Sequence, residues 1–423
     1  MQKLRSIFAV IVLLLGGALA FAGVPHKQML DAKIKTLPQE GNSIIFITDA
    51  HWNRNAGKST QQMKYLSEQT GIRTVVFGGD SYDMGNDAVD GLRQLKLYTE
   101  DCVAAFGDGF HYVCGNHDAN SSIVGKGKCP METGLIPDST IFQVTQAHMS
   151  AHAVYDEKVI AALSGYDFET EDQRRNAVAW MKLHYYRDLP ESSIRLIVLE
   201  TGNRGFTART LAGNAEAMFL IQTDFVADAL KTMPEGYNAV IVGHQMGFAK
   251  GEDLKGTDIA GLGQMMQVVS AYGRSASVSI DAKGVSLSKH PMMKTLWRAA
   301  GKHQYDFSSV ERPGKVVMLG GHFHYDAFWL AKPSSEGLDV ECINPKKYKA
   351  LKNGDVLCFW VNRDVYKGSP KSKAAAEKLA WGDGPLMEKG QPTEQSFMVL
   401  TFTDKNLVLT RFGAGQDYKF KLK

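Results

Sequence analysis

Five short, mostly apolar runs recur along the chain, and each stops abruptly at a cluster of polar residues. They are Ile44-Ile45-Phe46-Ile47, Val75-Val76-Phe77, His111-Tyr112-Val113-Cys114, Ala239-Val240-Ile241-Val242 and Val316-Val317-Met318-Leu319. Runs this short, rich in β-branched residues and without polar alternation, read as strands buried on both faces. Helical patterns separate the first three. One spans Ser59 to Gln69, with Ser59 or Thr60 as N-cap and Gly71 as its stop. The other spans Asp87 to Ala105, with Val89, Leu92, Leu95, Leu97 and Val103 in loose helical spacing. Strand and helix in alternation make a layered α/β domain.

The rhythm breaks twice, at residues 119 to 193 and 245 to 315. The first break holds a helical pattern from Glu171 to Tyr186, and the second an apolar helical pattern from Ile259 to Tyr272 with a strand-like Val278 to Leu287. Insertions after strands of this kind build pocket walls. Between the breaks come a strand from Ile194 to Leu199 and a helix from Asn214 to Met233. The β-rich part from about 340 to 423 offers strands at Val356 to Val361, Phe397 to Thr403 and Leu407 to Arg411, the last two joined as a hairpin through Asp404-Lys405-Asn406. Residues 26 to 40 read as a short polar lead-in, and Lys367 to Gly390 as a solvated loop.

Lys3 and Arg5, the apolar run Ile7 to Leu15 and Ala20-Phe21-Ala22 make residues 1 to 22 a secretory signal. The mature chain, 23 to 423, is then expected outside the cytoplasm, in a periplasm or secreted, with no membrane anchor once the signal is removed. Length fits one large domain carrying both insertions. With 22% charged residues and a net charge of +3, the composition argues against a specific nucleic-acid binder. The five cysteines are odd in number, so at least one thiol stays unpaired. Cys114 and Cys358 lie in apolar runs and are expected to be buried, while Cys342 with Cys358 is a pairing to be tested.

The polar clusters carry the chemistry. They read Asp49-Ala50-His51, Gly79-Asp80-Ser81-Tyr82-Asp83, Gly115-Asn116-His117-Asp118, Gly243-His244 and Gly321-His322-Phe323-His324. Metal-ligand residue types follow a strand five times, usually after a glycine that turns the backbone, so the strand ends must converge on one crevice. This order of motifs, D-x-H, G-D-x-x-D, G-N-H-D, G-H and G-H-x-H, resembles the calcineurin-like metallophosphoesterase superfamily, and it spans residues 49 to 324. The resemblance implies a four-layer αββα sandwich with two mixed β-sheets. It gives one metal to Asp49, His51 and His324 and the other to Asn116, His244 and His322, with Asp80 bridging. Mixed imidazole and carboxylate ligands suit two transition-metal ions, Mn, Fe, Zn or Co.

In that superfamily the residue matching His117 does not ligate but protonates the leaving oxygen, and the position of Asp83 is its partner. Asp118 is expected in a supporting role. Glu200, at the end of another strand, is either a supporting carboxylate or a solvated one. Arg54, Asn55, Arg204 and Arg209 stand where they could reach phosphate, or are ordinary surface residues. Met84 departs from the protein serine/threonine phosphatases, which carry arginine there. Asp83 and His51 depart from the purple acid phosphatases. What remains resembles the exported bacterial phosphoesterases and phosphodiesterases, acting on a small phosphate ester such as a nucleotide or lipid head group. The alternatives are a 5′-nucleotidase, a nuclease, and a secreted metal-binding protein without turnover.

Overall fold

In the computed structural model, side chains on successive residues of the first strand, β1 (Asn42–Ile47), point into different apolar layers. Ile44 and Phe46 enter one core, Ile45 and Ile47 another. That is the two-residue period of a strand covered on both faces. The structure describes residues 23–51, 56–121, 127–201, 215–246, 261–281, 302–322, 324–335, 337–348, 350–361, 364 and 387–423.

Helix α1 (Lys27–Ile34) precedes β1, and α2 (Ala56–Thr70), β2 (Val75–Phe77), α3 (Ala88–Phe106) and β3 (Phe110–Tyr112) follow it. Four helices come next: α4 (Met131–Gly134), α5 (Asp138–Thr145), α6 (Glu157–Ser164) and α7 (Glu171–Met181). Then come β4 (Tyr185–Leu189), β5 (Ile194–Val198), α8 (Ala215–Lys231), β6 (Asn238–Val242), α9 (Leu262–Gly273) and the ribbon β7 (Ser277–Asp281) with β8 (Lys302–Asp306). The remaining strands are β9 (Val316–Gly320), β10 (Ala327–Ser334), β11 (Gly337–Cys342), β12 (Ala350–Leu351), β13 (Val356–Trp360), β14 (Ser396–Phe402), β15 (Asn406–Gly413) and β16 (Tyr418–Leu422).

Two seven-stranded mixed sheets result, ordered β12-β16-β15-β14-β1-β2-β3 and β11-β10-β13-β9-β6-β5-β4. Their inner faces meet in one core, where Ile44, Phe46, Val76 and Leu400 of the first sheet join Leu196, Val240, Val317 and Phe359 of the second. On the outer face of the first sheet, Ile45, Val75 and Phe77 pack with Met63 and Leu66 of α2 and Leu95 and Cys102 of α3. Outside the second, Ile241, Met318 and Cys358 pack with Val226 and Leu230 of α8 and Met265 and Val269 of α9. Helix, sheet, sheet, helix is the four-layer sandwich that the motifs imply.

Several elements depart from the sequence expectations. The lead-in holds a helix, α1, which buries only Leu30 and braces its polar face with a Lys27–Asp31 ion pair of 2.7 Å. The helix from Glu171 ends at Met181, and Tyr185–Leu189 instead pairs antiparallel with β5. In α3 the buried stripe is Gly91, Leu95, Tyr98, Thr99 and Cys102. Val89 is 78% exposed and Leu97 37%. Helix α2 starts before Ser59, whose hydroxyl is spent on Asp364 rather than on a cap. The strands β10, β11 and β16 were not evident. The last two alternate exposed and covered positions at or near sheet edges, which gives no continuous apolar run. All five cysteines are free. Cys342 and Cys358 lie opposite the same residue, Trp329, on strands either side of β10. Two strand spacings, roughly 10 Å, separate them, too far for a disulfide. The expected signal segment, Arg54, Asn55, Arg204, Arg209, residues 282 to 287 and nearly all of the 367 to 390 loop lie outside the described residues.

Asp364 ties layers together. Its Oδ1 accepts from Ser59 Oγ of α2 (2.7 Å) and from the Ser396 amide of β14 (3.3 Å), and its own amide donates to the Thr48 carbonyl (2.9 Å). The carboxyl is fully buried, with Oδ2 lacking a hydrogen-bond partner. Burial pushes it up to about 7, against the two hydrogen bonds. The folded state therefore holds this proton where the unfolded chain, near its ordinary 3.8, has released it. Stability from this group is complete below about pH 4, falls as pH rises towards 7 and is flat above. Asp364→Asn should remove that slope: thermal midpoints measured from pH 5 to 8 should fall by several degrees more in the wild type than in the variant.

Candidate metal centre

Strands β1, β2 and β3 run parallel, as do β5, β6, β9 and β13, so the motif residues all emerge at carboxyl ends. The two sets of ends are bonded across the inter-sheet core. His244 Nδ1 donates to the Gly78 carbonyl (2.8 Å), and the His322 amide donates to Asp49 Oδ2 (2.9 Å). Thr48 Oγ1 donates to the same Asp49 oxygen (2.7 Å). Approach this close demands glycine. A Cβ on Gly79, whose φ is +98°, would lie 2.7 Å from His244 Nδ1, and one on Gly321 would overlap the Asp49 carboxylate.

Asp49, His51 and His324 form one group, and Asp80, His244 and His322 another, each with ligand-type atoms within 4.8 Å of one another. His51 Nε2 and His324 Nε2 are 2.8 Å apart, at 3.6 and 3.2 Å from Asp49 Oδ1. Asp80 Oδ2 is 3.1 Å from His244 Nε2 and 4.0 Å from His51 Nε2, so one carboxylate oxygen lies between the groups. Asn116 Oδ1 joins the second group, 3.1 Å from His244 Nε2. Asp49, His51, Asp80, His322 and His324 all have left-handed backbone, with φ between +42° and +74°. Such conformations cost on the order of 1 kcal/mol or more each in a non-glycine residue and persist where the surroundings enforce them, commonly at functional sites.

The donors themselves fit cations. With Nδ1–H of His244 committed to a carbonyl, its Nε2 faces two acceptor oxygens, Asp80 Oδ2 and Asn116 Oδ1. A bare lone pair there would be repelled by both, so the ring needs either a second proton or a metal ion. Burial lowers the His244 pKa, but the Asp80 carboxylate outweighs it and holds the proton up to about 10. Asp49 Oδ1 is buried without a hydrogen bond, facing two imidazole nitrogens that themselves face each other. Burial also opposes ionisation of Asp49 and Asp80, yet His324 and His51 hold Asp49 well below the usual carboxylate range, and His244 does so for Asp80. His322 is pushed down to about 4 by burial and by His244, leaving it a neutral donor near pH 7. Each group thus presents anionic and neutral ligands around a point where only positive charge is stable.

Asp118 holds the two loops in register. Its Oδ2 accepts from the amides of Asp80 (3.0 Å) and Gly115 (2.7 Å), and its Oδ1 accepts from the amide and hydroxyl of Ser81, both at 2.9 Å. Burial and the neighbouring Asp80 raise its pKa against these bonds. His117 stands at the mouth. Its amide donates to Asp80 Oδ1 (2.8 Å), and its Nε2 is 3.9 Å from Asp80 Oδ2. The expected link between His117 and Asp83 takes an unanticipated form: His117 Nδ1 meets the Asp83 main-chain carbonyl, while the Asp83 carboxylate lies 2.9 Å from His51 Nδ1. Glu200 is 2% exposed, which rules out the solvated reading, and its main chain is pinned by Gln222 through bonds of 2.7 and 2.8 Å. Gln245 was missed. Its amide is clamped by Thr201 Oγ1 (2.8 Å), and its side-chain Nε2 is 3.5 Å from both Asn116 Oδ1 and His322 Nε2. Adjacency to His244 was its only signal.

Among solved structures, the chain is similar to a dimetal phosphatase from Danio rerio, over 90% of this chain and 99% of that one, at 10% identity and a TM-score of 0.43. At that overlap the likeness assigns no residue here a role. No family model and no curated protein matches the sequence.

Because both Asp118 oxygens accept hydrogen bonds, an amide cannot replace it. Asp118→Ala and Asp118→Asn should each cost roughly 3 kcal/mol or more in urea unfolding, by stranding buried amides. Both should also lower the number of metal ions retained after dialysis, measured by elemental analysis.

Proposed function

We propose that the protein is a dimetal hydrolase of phosphoric esters, working outside the cytoplasm on a small phosphate mono- or diester. The observation that carries this reading is the convergence of Asp49, His51, Asp80, Asn116, His244, His322 and His324 from five strand ends, with one Asp80 oxygen between two ligand groups. Asp49, His51 and His324 would hold one ion, Asn116, His244 and His322 the other, and Asp80 would touch both. A bound pair of transition-metal ions supplies Lewis acidity, lowering the pKa of water and offsetting the charge of the ester oxygens.

The remaining chemistry belongs to the chain. Departure of an alkoxide from phosphorus needs a proton, and His117 would give it. Its Nδ1 donates to the Asp83 carbonyl, which fixes the ring and turns Nε2 towards the Asp80 side of the crevice. Its side chain is 20% exposed, so solvent could return the proton that it gives to a leaving group. Asp118 and the glycines keep the ligand loops from shifting, and a displacement of about 1 Å in such a site is costly. The extracytoplasmic location rests on the residue 1 to 22 pattern. Among the described residues no helix is long and apolar enough to cross a membrane.

Purified chain, stripped of metal and refilled separately with Mn, Zn, Fe or Co, should hydrolyse chromogenic phosphate mono- or diesters, and their ratio would name the activity. Asp80→Ala and His322→Ala should each lower kcat/KM by about a thousandfold or more. His117→Asn should cost about 10²- to 10⁴-fold, more with an alkyl than with a nitrophenyl leaving group, because the better leaving group needs less protonation. Turnover by Asp80→Ala at the wild-type rate would end the proposal. Two bound ions with no turnover on any ester would leave a metal-binding protein.

A further inference from the structure

We infer that Arg411 of β15 is a positioning residue for the candidate metal ligand His324, acting through a buried ion pair with Asp326. The inference rests on the dimetal reading and adds to it a role for the C-terminal strands, which carry none of the candidate ligands.

Arg411 stands where a charge is out of place. Leu407 and Leu409 of the same strand enter the core between the sheets, and the two-residue alternation brings residue 411 to that face, opposite Met398 of β14. The side chain is only 4% exposed, and a guanidinium there persists because its donors are met. Nη2 donates to Asp326 Oδ1 at 2.7 Å, and Nη1 donates to Ser396 Oγ at 3.4 Å. Asp326, itself 8% exposed, stands just before β10 in the other sheet, so the ion pair spans the two sheets. Gly415 makes room for the arginine: its φ is +97°, and a Cβ there would come within 2.9 Å of the Arg411 Nε.

Asp326 lies two residues beyond His324, whose backbone is left-handed with φ of +62°. A conformation of that kind persists only where its surroundings enforce it. The His322 end of the segment is fixed by its amide on the Asp49 carboxylate, and the Asp326 end by Arg411. The His324 ring, with Nε2 3.2 Å from Asp49 Oδ1, is thus delivered from between two anchors. The same strand pair braces Asp49. The Ser396 amide donates to Asp364 Oδ1 (3.3 Å), and the Asp364 amide donates to the carbonyl of Thr48, the residue before Asp49 (2.9 Å). Asp80 and His244 of the second group are held by other contacts, on Asp118 and the Gly78 carbonyl. Loss of the ion pair should therefore fall on the group of Asp49, His51 and His324.

The experiment titrates metal-free wild type, Arg411→Lys, Arg411→Met and the double variant Arg411→Met/Asp326→Leu with Co²⁺, followed by calorimetry and visible absorption, beside thermal midpoints of the metal-free chains. Arg411→Met should strand the Asp326 carboxylate and lower the midpoint. The double variant, which buries no charge at the pair, should regain the wild-type midpoint to within a few degrees. One of its two ions should nonetheless bind about 10- to 100-fold more weakly, and the other as in wild type. Arg411→Lys keeps the charge without the planar fork and should weaken the same site by about three- to tenfold. In His324→Ala, which lacks a ligand of the first group, adding Arg411→Lys should leave the affinity of the remaining ion unchanged. Wild-type affinities at both sites in the double variant would overturn the inference, and so would an equal loss at both. If the double variant does not fold, Arg411→Lys decides alone by the same two outcomes. Fewer than two ions in the wild-type chain would instead sink the dimetal reading beneath it.

Discussion

Everything at the centre depends on two β-sheets being bonded to each other at their carboxyl ends. The bonds are His244 Nδ1–H to the Gly78 carbonyl and the His322 amide to the Asp49 carboxylate. Both join a residue of one sheet to a residue of the other in the buried rim of the inter-sheet core. Sheets packed face to face normally lie about 10 Å apart, and side chains fill the gap. Here the gap closes to hydrogen-bond distance, which removes space for any Cβ at Gly79 and Gly321. Five of the candidate ligands at this rim, Asp49, His51, Asp80, His322 and His324, have left-handed backbone.

Charge follows from that closure. Burying Asp49, Asp80 and Asp118 together would be prohibitive if each were bare. Asp118 is satisfied by amides and a hydroxyl, whereas Asp49 and Asp80 look towards imidazoles. The division separates a supporting carboxylate from candidate ligands: one is saturated with N–H and O–H donors, and the other two keep an oxygen turned to a shared space. Neighbouring positions in a single loop, Asn116, His117 and Asp118, thus face three different environments.

The strands that bear the candidate site were legible because both their faces are buried, which writes a short continuous apolar run, and because a cluster of polar residues ends each run. Their ends were legible because glycine and ligand-type residues stand in adjacent positions. Where one face is wet the record fades. Helix α1 buries a single leucine, and β16 alternates Tyr418 and Phe420 with lysines. Contacts between residues far apart leave no local trace at all. Ser59 bonds Asp364 across 305 positions, and nothing near either residue announces the other. The partner of Asp83 is hidden for a subtler reason: the spacing that brings it beside His117 is the same whether the carbonyl or the carboxylate makes the contact. Gln245 has no sequence signal beyond its place next to His244, and only its 3.5 Å distances from Asn116 and His322 show it at the site.

Strand β1, which delivers Asp49 and His51, is paired on one side with β2 and on the other with β14, where Asn42 lies opposite Phe402. Ser43 and Thr401 share a hydrogen bond across that seam at 2.8 Å. An early segment of the chain therefore occupies the middle of its sheet only after β14, Ser396–Phe402, has been synthesised to flank it. Such non-local pairing makes assembly late and slow, because a long loop must close before any contact rewards it. The nascent chain then carries Asp49-Ala50-His51, its first candidate ligand motif, for most of its synthesis without one of the two strands that flank it in the sheet. The candidate ligand groups are therefore complete only in the finished polypeptide, whose late strands close the sheet around β1.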